Sequence, residues 1–168
     1  MTALSPLQSV QEDTTLLRSV FGRFPTGVTA VCAEVDGAPV GMAASSFTSV
    51  SLSPPLVSVC VQNSSQTWPV LRRARRIGVS VLSEEHEAAC TNLSARTGDR
   101  FAGVDWFRGE DQAIFLHGAS ALLNCTLHSE VPAGDHTIAL LQIHQVLADH
   151  DTVPLIFHGS RFRRLARV

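Results

Sequence analysis

The sequence predicts a mainly β protein, an antiparallel barrel of six or seven strands with two or three short helices. Three observations carry that expectation. Apolar runs of strand length recur along the chain, turn-forming stretches such as Asp36-Gly37 and Ser53-Pro54-Pro55 separate them, and most strands follow one another without an intervening helix. Consecutive strands joined by tight turns pair antiparallel, whereas a parallel sheet needs a long crossover, usually a helix, between strands.

The elements follow in chain order. Residues 1–12 are polar and aperiodic and are expected to form a mobile arm ahead of a single domain over residues 13–168. Asp13 is suited to cap a helix in which Leu16, Leu17, Val20, Phe21 and Phe24 recur at helical spacing until Pro25. Val28 to Val35 is a β-branched run that ends in Asp36-Gly37, a strong hairpin signal, with Pro39 to Ala44 as the return strand. Ser46 to Leu52 and Leu56 to Val61 extend this half into a meander. A short helix is expected between Ser65–Thr67 and Ile77, with Trp68 and Leu71 inward and Arg72, Arg73, Arg75 and Arg76 solvated at its end. Ile77 to Leu82 is a buried strand, and Ser83-Glu84-Glu85-His86 opens a helix that runs to about Leu93. A loop from Thr97 to Gly109 precedes two long strands, Ala119 to Glu130 and Thr137 to Asp149, with Val131-Pro132-Ala133-Gly134-Asp135 between them. Pro154 to Phe157 is the last strand expected.

Composition removes several kinds of chemistry. The 168 residues are 45% hydrophobic, enough for one substantial core. Thirteen basic residues against fifteen acidic ones leave a net charge of −2, which speaks against an electrostatically driven nucleic-acid binder. Every basic residue is Arg, and Tyr is absent too. A pyridoxal Schiff base, a phosphate-loop lysine and a tyrosine acid are thereby excluded. Cys32, Cys60, Cys90 and Cys125 form no Cys-x-x-Cys pair and read as buried, reduced thiols. With no signal peptide or membrane span legible near the N-terminus, a cytoplasmic protein is expected.

Familiar motifs are missing. No Gly-x-Gly-x-x-Gly follows a strand, no phosphate loop occurs, and Ser160 after Gly159 has no nucleophile elbow around it. His86 and Cys90 stand at i, i+4 spacing, but two ligands do not make a zinc site, so no metal is expected.

Four separated segments carry a resemblance to a known family. They are Phe24-Pro25-Thr26-Gly27-Val28, the long stretch from Gly41-Met42-Ala43-Ala44-Ser45-Ser46-Phe47 to Pro54-Pro55, Asp99-Arg100-Phe101, and Gly134-Asp135-His136. Together, from about Leu17 to Leu165, they resemble the flavin reductases that serve two-component flavin-dependent monooxygenases. The chain departs from the commonest pattern at Ser53 and over Thr91-Asn92-Leu93-Ser94-Ala95.

The resemblance implies a split β-barrel that binds flavin (FMN or FAD) and works as a homodimer. It implies hydride transfer to flavin from NADH or NADPH, and release of reduced flavin to a partner monooxygenase. Thr26, Ala44, Ser45, Ser46 and Ser51 would lie along the flavin with Gln62 and Thr67 close by, and Arg100 would be its phosphate cation. Gly134, Asp135 and His136 would lie at the nicotinamide, with His136 as a positioning and polarising contact. Two other readings stay open: an enzyme with permanently bound flavin on a similar barrel, as in pyridoxamine-phosphate oxidases, and a non-catalytic flavin- or haem-binding module. No nucleic-acid or membrane partner is implied.

Overall fold

The computed structural model describes residues 6–7, 9–10 and 13–166. Most of the expected arm, residues 1–12, lies outside the described residues. The fold is mainly β, and every strand pair in it is antiparallel.

Helix α1 spans Thr14–Phe21. Its cap is the expected one, since Asp13 Oδ1 accepts from the Thr15 and Leu16 amides at 3.0 and 2.9 Å. The helix stops at Gly22 rather than running to Pro25, and single turns carry the chain through Arg23 and Phe24. None of its residues is buried.

Two strands, β1 (Thr26–Gly27) and β2 (Thr29–Val35), lead into the Asp36-Gly37 turn. Both turn residues have positive φ, 54° and 79°, as a two-residue hairpin loop requires. Strand β3 (Ala38–Ala44) returns along β2, and β4 (Thr48–Leu52) and β5 (Pro55–Gln62) form the next hairpin. The expected meander ends there. The main sheet, completed by β6 (Ile77–Val81), β9 (Ala121–Ala133) and β10 (His136–Ala148), has the order β3-β2-β6-β9-β10-β5-β4. Strands β3 and β4, neighbours in the chain, are therefore its two opposite ends. Laid flat, seven strands at about 4.8 Å spacing would hold those ends about 29 Å apart. The four-residue step from Ala44 to Thr48 reaches only about 15 Å. The sheet must curl until its edges approach, although they do not pair.

Curling gives the sheet an inside and an outside, both packed. Inside lie Val31, Val57, Val59, Ile77, Val79, Leu123 and Leu141, plugged by Trp68 and Leu71 of the short helix α2 (Trp68–Leu71). Outside, Ala30, Cys32 and Leu82 pack under helix α3 (Glu87–Leu93), Leu155 and the hairpin of β7 (Trp106–Arg108) with β8 (Ile114–Leu116). Because β2 is buried on both faces, its sequence is apolar without alternation. A third, small sheet joins β1 to β11 (Ile156–His158) and β12 (Arg161–Arg163).

Several expectations are corrected. Seven strands form the main sheet, as expected for the barrel, but among the described residues two small sheets add five more. Strand β7 occupies part of the expected Thr97 to Gly109 loop. Pro132 belongs to β9 rather than to a turn. A proline fits there because β6 pairs with β9 only from Ala121 to Cys125, which leaves one edge of the distal part of β9 without a partner strand. Helix α2 is one turn long, and the arginines after it are paired rather than simply solvated. Arg72 meets Glu130, Arg73 meets Asp36, and Arg75 and Arg76 face Asp111. His86, considered above as a ligand, is engaged within the fold: its Nδ1 accepts from the Ser83 amide at 3.0 Å and its Nε2 meets the His117 carbonyl at 2.8 Å.

Candidate functional site

The site forms where the chain crosses between the two ends of the sheet. Thr29 Oγ1 donates to the Ala44 carbonyl at 3.1 Å and fixes the end of β3. Two residues on, the Ser46 hydroxyl donates to the Cys60 carbonyl at 3.1 Å and accepts from the Cys60 amide at 2.9 Å. This side chain ties the crossing to β5. Ser45, between them, is exposed and makes no side-chain hydrogen bond among the described residues.

Beside this crossing lies a cavity of about 650 Å³. Of the residues singled out from sequence, it brings together Ala44, Ser45, Ser46, Gln62, Thr67, Arg100 and His136. Thr26 and Ser51 are not on its wall. The first sits in β1 with Oγ1 buried and unpaired, and the second lies in the edge strand β4. Gly134 and Asp135 form the hairpin tip beside it, exposed to solvent. A smaller, more apolar lobe of about 320 Å³ shares Ala43, Ala44, Ser45 and Ser94 with the main cavity and is closed by Val28, Cys90, Phe157 and Phe162.

His136 reaches the cavity because of the tightest turn in the long ribbon. Ala133 pairs directly with His136, so Gly134-Asp135 is a two-residue loop, with Gly134 at φ 64° in the position that demands positive φ. Asn63, not anticipated from sequence, holds this tip from the end of β5. Its Nδ2 donates to the Gly134 carbonyl at 3.2 Å, its amide to the Asp135 carbonyl at 2.9 Å, and its Oδ1 accepts from Thr137 Oγ1 at 2.9 Å. His136 Nδ1 lies 2.7 Å from Asp135 Oδ1. An ionised carboxylate only accepts, so Nδ1 carries the hydrogen and Nε2 is left for a ligand. The hydrogen bond from His136, then its charge, hold the Asp135 carboxyl below the usual carboxylate range.

Arg100 is held by β3 and the start of α2. Its Nη1 donates to the Gly41 carbonyl at 3.1 Å and to Thr67 Oγ1 at 2.7 Å, which leaves the other guanidinium donors without a protein partner among the described residues. Next to Thr67, the Trp68 indole N–H donates to Glu130 Oε1 at 2.8 Å, while Arg72 meets Oε2 of the same carboxylate at 3.0 Å. Met42, Cys60, Ser64, Ser65, Gln66 and Arg96 also line the cavity and were not singled out from sequence. Only the alternation of β3 and β5 could have suggested Met42 and Cys60. Of the four thiols Cys60 alone is exposed, whereas burial pushes Cys32 and Cys125 up to about 12.

No carboxylate lines the cavity among the described residues, although acidic residues outnumber basic ones in the chain. Two guanidiniums, an imidazole, hydroxyls and amides share the wall with apolar Met42, Ala44, Val61 and Leu93. That donor set fits a flat ring bearing a phosphate tail. The site thus defines a binder of anionic, ring-bearing cofactors.

Comparison with known proteins narrows the class. The family model described as "Flavin reductase like domain" matches residues 21–166. The "NADH-dependent FAD reductase" of Streptomyces globisporus is 42% identical over 161 residues, covering 92% of this chain and 87% of that protein. The reductase subunit HsaB of the flavin-dependent monooxygenase of Rhodococcus jostii is 36% identical over 145 residues, covering 86% and 74%. The solved structure of the Streptomyces globisporus NADH:FAD oxidoreductase in complex with NAD and FAD fragments superposes with a TM-score of 0.90 at 40% identity, covering 96% of this chain and 98% of that one. The chain belongs to the flavin reductase like family.

Proposed function

We propose that the protein is an NAD(P)H:flavin oxidoreductase that takes hydride from NADH or NADPH, passes it to FMN or FAD, and supplies the reduced flavin to a partner monooxygenase. The observation that carries this reading is that Ala44, Ser45, Ser46, Gln62, Thr67, Arg100 and His136 share one cavity, with no carboxylate on its wall among the described residues. The relatives named as an FAD reductase and as a monooxygenase reductase subunit support it.

Hydride passes directly between the nicotinamide and flavin rings and needs no protein nucleophile, so the absence of Lys and Tyr costs the enzyme nothing. The chain's own work is placement. Ser45 offers its free hydroxyl and Gln62 its amide to the flavin's polar edge, and Arg100 meets the phosphate with the donors that Gly41 and Thr67 leave open. His136, aimed by Asp135 and the Asn63-braced turn, presents Nε2 to the nicotinamide. The crossing segment acts through position, with Ser46 shaping the wall from its bonds to Cys60. Thr26, Ser51, Gly134 and Asp135 lie off the wall and serve as its support or rim.

The curled sheet with unpaired ends is read as the family's split barrel, and the working unit as a homodimer. Apolar side chains left open on a single chain support the dimer: Phe21 at the end of α1 and Phe24 just after it are 68% and 74% exposed, and Val146 of β10 is 71% exposed. No helix among the described residues is long and apolar enough to cross a membrane. Cytoplasmic location is part of the same proposal.

The test is NADH or NADPH oxidation by purified protein with and without added flavin. Turnover that depends on free FMN or FAD is expected, and none with either flavin would sink the proposal. Within the same assay, His136→Ala is expected to raise the KM for the nicotinamide nucleotide about tenfold, the loss of one hydrogen-bonding contact to that substrate, while flavin affinity stays nearly unchanged. An equal loss of flavin binding would remove His136 from the nicotinamide side.

A further inference from the structure

We infer that Arg96 is a second phosphate-reading cation of the cavity, and that it gives the site its preference for a flavin with a pyrophosphate, FAD, over one with a single phosphate, FMN. The inference rests on the reading of the cavity as a flavin site. Arg96 and Arg100 stand four residues apart on the loop that follows α3, and both line the cavity. Their circumstances differ. Arg100 is half-buried, with Nη1 fixed by Gly41 and Thr67, so it can serve one phosphate at one place. Arg96 is exposed and makes no hydrogen bond or ion pair among the described residues. By contrast, Arg72, Arg73, Arg75 and Arg76 all find carboxylates.

The loop that carries both is itself held in place. Asn92 Nδ2 donates to the Ala102 carbonyl at 2.9 Å and closes the segment between them, and Asp99 Oδ1 accepts from the Phe101 amide at 2.9 Å, which turns that carboxylate to its own backbone. With no carboxylate on the cavity wall, an anion entering beside Arg100 meets no repulsion there. FMN presents a single phosphate, which Arg100 satisfies. FAD adds a second phosphate next to the first, and the neighbouring cation on the same loop is Arg96. A guanidinium recognises a phosphate through charge-assisted, often paired hydrogen bonds, so it can discriminate between ligands that do and do not carry the group.

Equilibrium titration of FAD, FMN and riboflavin into the unaltered protein, Arg96→Ala and Arg96→Lys tests this. The unaltered protein is expected to bind FAD more tightly than FMN. Arg96→Ala should weaken FAD about ten- to a hundredfold, the loss of one charged hydrogen-bonding partner, and leave riboflavin unchanged and FMN nearly so. Arg96→Lys should recover part of the loss, since the charge remains but the fork does not. Equal weakening of FMN and FAD would overturn the inference. So would unchanged FAD binding with a raised KM for NADH, which would give Arg96 to the dinucleotide instead. Failure of the unaltered protein to bind any of the three flavins is a different result, which overturns the reading of the cavity and this inference with it.

Discussion

Gly78→Ala is expected to lower the thermal midpoint of the protein by about 6–12 °C. A Cβ at Gly78 would stand 2.1 Å from the Ile114 carbonyl oxygen and 2.8 Å from its carbon, with the Phe115 ring at 3.0 Å. The first two atoms are backbone, and neither neighbour can yield. Strand β6 is clasped between β2 and β9, while β8 is held over it by the Leu116 amide donating to Ser80 Oγ at 3.1 Å. Overpacking costs about 1–3 kcal/mol where side chains can move, and a backbone clash in a central strand falls at the upper end. At about 3 kcal/mol, a chain of this size loses roughly 2–4 °C per kcal/mol. A melt by circular dichroism checks it, and a midpoint within a degree of the unaltered protein would show that β8 lifts freely.

Arg100→Ala should raise the flavin dissociation constant about a hundredfold. Two losses combine: a charged donor to the phosphate, and the tie that binds Gly41 of β3 to Thr67 at the head of α2. A hydrogen bond to a charged group contributes about 1.5–3 kcal/mol, which converts to roughly ten- to a hundredfold, and the slackened wall adds to it. Arg100→Lys separates the two, because a lysine restores charge but cannot bridge a carbonyl, a hydroxyl and a phosphate together. It should recover less than half of the lost binding free energy. Fluorescence titration with FMN and FAD measures both variants, and unchanged affinity in Arg100→Ala would place the phosphate elsewhere.

Local chemistry was legible in the sequence. Asp13 caps its helix, Asp36-Gly37 turns its hairpin, and the strands from Val28 to Leu82 were located to within a few residues. Each of those features depends on neighbours in the chain. What depends on meetings across the chain was not legible. Nothing between Ala44 and Thr48 announces that the next strand will join the far end of the sheet, nor that Pro132 sits where β9 has lost a partner. The β7–β8 hairpin escaped notice because each strand has only three residues, with Gly109 to Ala113 between them.

The cavity follows the same division. Ala44, Ser45, Ser46, Gln62, Thr67, Arg100 and His136 were found through segments that resemble a family, and they do converge. Asn63, Cys60 and Arg96 were missed because their places at and beside the cavity come from register and loop closure. Asn63 matters only because β5 ends opposite His136, and Arg96 only because Asn92 brings its loop round to the wall.

The pairing of Gln62 with His136 carries one last consequence, for the order in which the molecule acquires its properties. The β9–β10 ribbon closes through two residues and can form from local chain alone. Strand β5 must find β10 across α2, β6, α3 and the β7–β8 hairpin, and long-range closures of that kind are slow. A refolding chain can therefore close the turn that carries His136 before β5 has docked beside it. Binding competence arrives with the final closure, so flavin acts only on completed molecules and draws the folding equilibrium toward them by mass action.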